Sequence, residues 1–299
     1  MSAMHAAMPQ RTIAVCADDF GMHADVDGAI LDLVQAGRVT TVSCLVGGAN
    51  WRRSGPKLAQ LDRDRLETGL HFDLTLAPLA GDRPCAGQSL WSLIARAQLR
   101  LLSRRTLEDQ VARQLDAFEK VMHRAPDHVD GHQHVHQLPI VRDALLAVLD
   151  RRYPGALPWL RSTRPGAGAS GKARLIDGLG GAGLRRAAAL SRRATSGRLL
   201  GVHGFDCDAG GYLAKVAGWL HQCRDGDVLM CHPGWTPGAA DDPLRVMRGI
   251  EWLVLGGEGM AQCLEREHVG LAPLTPGFRL RHQTPGTRPA PQRPPARPA

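Results

Sequence analysis

Thr12-Ile13-Ala14-Val15-Cys16-Ala17-Asp18-Asp19-Phe20-Gly21 is an apolar, β-branched run that stops on two carboxylates and a glycine. The run, Thr12–Ala17, has the composition of a buried strand, and the abrupt polarity after it marks the strand's C-terminal end. An isolated Asp-Asp is commonly a helix cap or turn. Here no lysine or arginine lies within three residues, so the two charges repel each other unless a cation or a proton is brought from elsewhere in the fold.

Working outward, similar short runs recur at Thr41–Val46, Glu67–Leu74, His128–Asp130, Trp159–Arg161, Gly201–Phe205, Asp227–Cys231 and His268–Pro273. Amphipathic stretches separate them. Leu107–Met122 carries Leu107, Val111, Leu115 and Phe118 on one face, with Thr106 as cap and Asp109 at the capping-box position. Asp25–Ala36 closes on Gly37, and Pro139 and Pro243 suit first helical positions. Strand and helix in alternation over about 265 residues predict an α/β protein, a closed (β/α) barrel rather than an open sheet. Residues 11–275 read as one domain. The first ten residues and residues 276–299, the latter rich in proline and arginine, read as disordered tails.

The net charge of +8 invites a nucleic-acid reading until it is located. Arg161–Arg198 holds nine Lys or Arg against one acid and Thr275–Ala299 five Arg against none, so the remainder is net negative. A helix-like segment and a tail are not a recognition surface for phosphate backbones, and no nucleic-acid partner is expected. The basic segment is either a solvated helix face or a peripheral dock for anionic lipid or an acidic glycan. The seven cysteines form no C-x-x-C pair and an odd number suits no disulfide framework, so reduced, mostly buried thiols are expected. Cys231 as a nucleophile is set aside because strand neighbours point to opposite faces, and its neighbour is His232. Without a secretory h-region or an apolar run of membrane-spanning length, the expected location is the cytoplasm.

Chemistry concentrates at strand ends. Asp18 and Asp19 follow the first run, His71 interrupts the third, and Asp130, His132, His134 and His136 follow the fourth. Arg161 ends the fifth, His203 lies in the sixth, and His232 follows the seventh. In a parallel barrel these ends meet at one rim, so the carboxylates and imidazoles converge as a metal-hydrolase constellation. Imidazole and carboxylate donors suit Zn²⁺, Mn²⁺, Co²⁺ or Ni²⁺. His232 has room to act as a general acid, and Arg161 either steadies a carboxylate or binds substrate.

The segments Ala17-Asp18-Asp19-Phe20-Gly21, Gly69-Leu70-His71-Phe72, Asp130-Gly131-His132-Gln133-His134-Val135-His136 and Cys231-His232-Pro233 resemble, in order, the motifs of the YdjC-type carbohydrate deacetylases. That family includes chitooligosaccharide deacetylases and hopanoid-associated relatives. The resemblance implies a distorted TIM-like barrel of the glycoside hydrolase/deacetylase class, a homodimer, and a divalent ion, commonly Mg²⁺ and sometimes Zn²⁺ or another transition metal. It implies that Asp18 is the base, that Asp19, His71 and His132 hold the metal, and that His232 is the acid. The reaction would hydrolyse the linear amide of an N-acetylated sugar. Arg161, His136 and Asp73 are expected to face the substrate. Asp73 and the arginine-rich middle depart from the chitooligosaccharide pattern, which bears on the substrate rather than the reaction. Two other classes compete: a glycan- or membrane-surface-binding protein without catalysis, and a metal phosphoesterase. A complete set of acid, base and ligands argues against the first, and too few carboxylates for a two-metal site against the second.

Overall fold

The protein is described by a computed structural model over residues 11–276, so the expected tails, Pro276 apart, lie outside the described residues. Its strands are β1 (Arg11–Phe20), β2 (Thr41–Cys44), β3 (Glu67–Phe72), β4 (Leu79–Ala80), β5 (Arg83–Pro84), β6 (His128–Gly131), β7 (Trp159–Leu160), β8 (Leu199–Leu200), β9 (Val228–Cys231) and β10 (Val269–Leu271). Its helices are α1 (Ala24–Gln35), α2 (Trp51–Ala59), α3 (Leu90–Gln98), α4 (Arg104–Met122), α5 (Val141–Arg152), α6 (Gly171–Gly178), α7 (Gly181–Leu190), α8 (Ala209–Gln222), α9 (Arg245–Gly256) and α10 (Glu258–Arg266). Among the described residues no helix is long and apolar enough to cross a membrane.

The main sheet is parallel throughout, in the order β7-β6-β3-β2-β1-β9-β8, with β10 pairing the start of β1. It curls so far that its two ends meet. Leu160 bridges Thr195 and Pro165 bridges Leu199, both in parallel sense, although no continuous ladder joins β7 to β8. This is the expected (β/α) barrel, distorted at its closing seam.

Two apolar populations show which way each side chain points. Ile13, Val15 and Ala17 join the large core between sheet and helices, whereas Ala14 and Cys16 join Trp159, Val228, Met230 and Leu274 in a smaller cluster inside the barrel. Alternation of period two therefore sends even positions of β1 inward, and Asp18 is the next of them.

Seven strand expectations hold to within three residues. The exception is Gly201–Phe205, where the strand is Leu199–Leu200 instead. Gly201 has φ +91°, and a Cβ on it would lie 2.1 Å from the Met230 carbonyl oxygen, so the chain leaves the sheet there. The cap of α4 is also corrected: Ser103 accepts from the Thr106 amide, and the helix starts three residues before Leu107. Pro139 and Pro243 each sit one residue before a helix cap rather than inside the first turn. Helix α1 ends with Ala36 as cap and Gly37 at φ +66°, the left-handed stop that glycine favours.

The crowding at Gly201 yields a test of the closing seam. Gly201→Ala forces a left-handed alanine against a backbone oxygen and should cost at least about 2 kcal/mol. Urea denaturation should show a lowered midpoint with an unchanged m-value.

Candidate active site

Strands β1, β2, β3 and β6 and the end of β7 each deliver one polar side chain to the C-terminal end of the barrel interior. Asp18, Ser43, His71, Asp130 and Arg161 are all 2% exposed or less, and together they form one hydrogen-bonded network. Arg161 lies at its centre. One guanidinium nitrogen donates to Asp18 Oδ2 and another to Oδ1, both at 2.6 Å, and the second also pairs with Asp130. Asp130 in turn receives Ser43 Oγ at 2.6 Å and holds His71 Nδ1 at 2.7 Å. Burial pushes both carboxyls up, but Arg161 and His71 more than reverse this, so both stay ionised below the usual carboxylate range.

Asp19 does not continue the strand's alternation. The β1–β2 register shifts between Ala17 and Phe20, and Asp19 takes φ +70°, a left-handed conformation that aspartate tolerates better than most residues. The bulge brings its carboxylate to the same mouth as Asp18. Its Oδ1 lies 3.0 Å from His132 Nδ1 and 3.4 Å from His71 Nε2, and its Oδ2 accepts from Arg248 at 2.8 Å. Donor atoms of Asp19, His71 and His132 all fall within 4.8 Å of one another, as a metal centre requires. The Asp18–His71–Asp130 and Cys16–His128–Asp130 groupings are equally tight, but the Arg161 guanidinium already contacts Asp18, Asp130 and Cys16 and supplies the cation there.

His232 follows β9 and points inward, its Nε2 4.0 Å from Asp18 Oδ2. Its backbone amide donates to Glu251, whose other oxygen holds His203 Nε2 at 3.0 Å. Burial lowers the His232 pKa, against the opposing pull of Glu251 and the two aspartates. The shift favours the neutral ring.

The histidine cluster after β6 divides. A 3-10 turn over His132–Gln137, with Gln133 and His134 left-handed, ends the alternation so that only His132 reaches the Asp19 centre. His128 is a core residue stacked on Trp159, and its pKa falls to about 4 because it is buried. His134 is mostly covered, with Nδ1 lacking a partner.

The three residues expected to face substrate bond to the protein's own groups in this structure. His136 is fully buried with Nε2 on the Arg161 carbonyl, so it steadies backbone. Asp73 caps its own loop, accepting from the amides of Thr75, Leu76 and Ala77. Arg161, 0% exposed, takes the carboxylate-steadying role that was one of its two readings. His203 is likewise an inner residue, and Cys231 points away from the mouth with its thiol pushed well up by burial.

Comparison with known proteins adds the lineage. The family model for YdjC-like proteins matches residues 12–266. The chain belongs to the YdjC-like family. A Homo sapiens protein named carbohydrate deacetylase is 32% identical over 275 residues, covering 79% of this chain and 80% of its own. A Salmonella newport chitooligosaccharide deacetylase is 31% identical over 138 residues, 44% of this YdjC-like chain and 52% of the relative. A solved Enterococcus faecalis V583 protein, provisionally assigned to cellobiose-phosphate cleavage, superposes with TM-score 0.63 at 20% identity over 90% of this chain and 98% of its own. At that identity the likeness speaks to fold alone.

In this YdjC-like chain the sequence motifs omit Arg248 and Glu251, both in α9 and both nearly inaccessible. Arg248 grips Asp19 and also Asp242, while Glu251 grips the His232 backbone and His203. The only signal in the sequence is a charged pair three apart on a helix face that also carries Met247 and Leu255.

The buried ion network predicts a large response to loss of its cation. Arg161→Met strands Asp18 and Asp130 without a counter-charge and should destabilise the fold by about 3–5 kcal/mol. Arg161→Lys should recover only part of this, because an ammonium cannot hold both Asp18 oxygens as a fork does. Urea midpoints for the two variants beside the parent measure both effects.

Proposed function

We propose that this YdjC-like protein is a metal-dependent carbohydrate deacetylase that hydrolyses the acetamide of an N-acetylated amino sugar. The observation that carries the reading is the meeting of Asp18, Asp19, His71, His132 and His232 at one end of the barrel interior. The names of the human and Salmonella relatives support the same class of reaction.

Asp19, His71 and His132 would hold a divalent ion. The fit is supported by their converging donors and by Asp130, whose bond to His71 Nδ1 fixes the tautomer and leaves Nε2 free to ligate. Two imidazoles and one carboxylate favour a transition metal over Mg²⁺, which prefers oxygen donors throughout. Bound there, the ion supplies Lewis acidity toward the acetamide oxygen as negative charge develops on it.

The chain's own groups move the protons. Asp18 is kept ionised by Arg161 and is the acceptor for a proton from the attacking water. His232, neutral at rest, must gain a proton before it can protonate the departing amine. Asp18 Oδ2 stands 4.0 Å from its Nε2, so the proton taken from water has a short path to the leaving group. Arg248 holds Asp19 from behind and leaves Oδ1 facing the histidines.

The test pairs acetate release from N-acetylated sugars with metal content, using Zn²⁺, Co²⁺, Ni²⁺ and Mg²⁺. His71→Ala and His132→Ala should lose the ion. Asp18→Asn should keep it and lose turnover by roughly 10²-fold or more. His232→Ala should also keep it, with a smaller loss on an activated ester that needs little leaving-group protonation. An empty site in Asp18→Asn beside an occupied, active Asp19→Asn would reverse the assigned roles.

A further inference from the structure

Among the described residues, five of the nine exposed large apolar side chains fall on three helices and the turn after the first: Trp91, Leu99 and Leu101 on α3 and that turn, Leu175 on α6 and Leu190 on α7. Trp91 is 71% exposed and Leu190 79%, values that packing against the protein's own core does not explain. Single exposed leucines are ordinary, but a gathering of them with a tryptophan marks a contact surface.

The elements adjoin. Gln98, on the outer side of α3, donates to the carbonyl of Leu179 at the end of α6. Along the chain α3 comes after the β4–β5 hairpin that follows β3, and α6 comes after β7. Gln137, at the end of the turn that carries His132, donates to the Ile176 carbonyl of α6.

The charge of this surface is one-sided. Residues 86–105 contain four arginines and no acid, and residues 170–192 contain five Lys or Arg against Asp177 alone. That acid is neutralised by Arg185. The surplus here equals the net charge of the whole chain, +8. Arg100, Arg105, Arg174 and Arg186 make no ion pair or side-chain hydrogen bond among the described residues, so their charge is free for a partner.

We propose that this face docks on an anionic lipid bilayer, with Trp91 and the leucines entering the headgroup boundary and the arginines meeting the lipid phosphates. Adjoining short helices that expose both leucine and arginine side chains, with an exposed tryptophan among them, have the chemistry of an interfacial anchor. The docking needs no catalysis and is measured on protein and vesicles alone, so it stands apart from the deacetylase reading.

Full-length protein is sedimented with vesicles of phosphatidylcholine alone or mixed equally with phosphatidylglycerol, at low and at high salt. It should bind the mixed vesicles, release at high salt and ignore phosphatidylcholine. The triple variant Arg100→Gln, Arg105→Gln, Arg186→Gln should bind at least about tenfold more weakly, given roughly 1 kcal/mol per basic residue near such a surface. Trp91→Ser should weaken binding at an unchanged Tm, since its side chain is largely exposed. Binding equal to the parent in both variants would place the attraction in the arginines after Thr275 and overturn the proposal. Equal binding to both lipids, or none, would also overturn it. So would a parent dimer that becomes monomeric in Trp91→Ser, which would assign the face to a second copy of the chain.

Discussion

The guanidinium of Arg161, closed off from solvent inside the barrel, is the interaction on which the site depends. Two carboxylates from non-adjacent strands, Asp18 and Asp130, end on it. Taking three charges out of water is costly, and the cost is offset only when geometry satisfies nearly every lone pair. Asp18 is held through both oxygens, and Asp130 is further bonded by Ser43 and His71. Arginine suits this position because its planar fork serves several acceptors at once, where an ammonium serves them poorly. The consequence passes down a chain of contacts. Arg161 fixes Asp130, Asp130 fixes the His71 ring, and the ring presents Nε2 to Asp19.

Much of this was legible in the sequence because strand geometry is simple. The run from Thr12 to Ala17 reads as a strand, alternation sends Asp18 to one face, and the same rule separates His232 from Cys231. The order of acids and histidines at successive strand ends implies a common rim. What alternation cannot foresee is where it stops. The bulge at Asp19 brings two adjacent carboxylates to one mouth, and the left-handed Gln133 and His134 scatter four histidines that are evenly spaced in sequence. Both departures arise from backbone conformations that no residue pattern demands. The structural bonds of His136 and Asp73 were hidden from the sequence for a related reason. A polar residue near a site looks the same in sequence whether it faces a ligand or holds backbone, and here His136 holds the Arg161 carbonyl while Asp73 holds the amides of its own loop.

Helix α9 shows the same limit from outside the sheet. Arg248 and Glu251, three residues apart, look like an ordinary solvated pair on a helix. In the fold both are buried, with different partners. Arg248 reaches Asp19 from behind, and Glu251 holds the backbone at His232. The ligand and the acid assigned from different strands are therefore positioned by one turn of one helix. A displacement of α9 would disturb both together, which no variant confined to the barrel strands would do.

The distortion of the barrel bears on the same site. A regular eight-stranded barrel fills its interior with apolar layers and spends its strand edges on continuous ladders. Here β7 has only two residues, and its ladder stops before Arg161. The Arg161 amide still donates to the Val129 carbonyl, and beyond it side chains take part in the bonding: the Arg161 carbonyl accepts from His136, and the Ser162 amide donates to Ser196 Oγ. Ending the ladder early frees the chain to leave the sheet toward α6 while the Arg161 side chain stays inside. A longer β7 paired fully with β8 would close the seam with backbone bonds and draw the β7–α6 connection into the wall. The irregular seam is thus part of how a buried cation and an accessible mouth coexist in one small barrel.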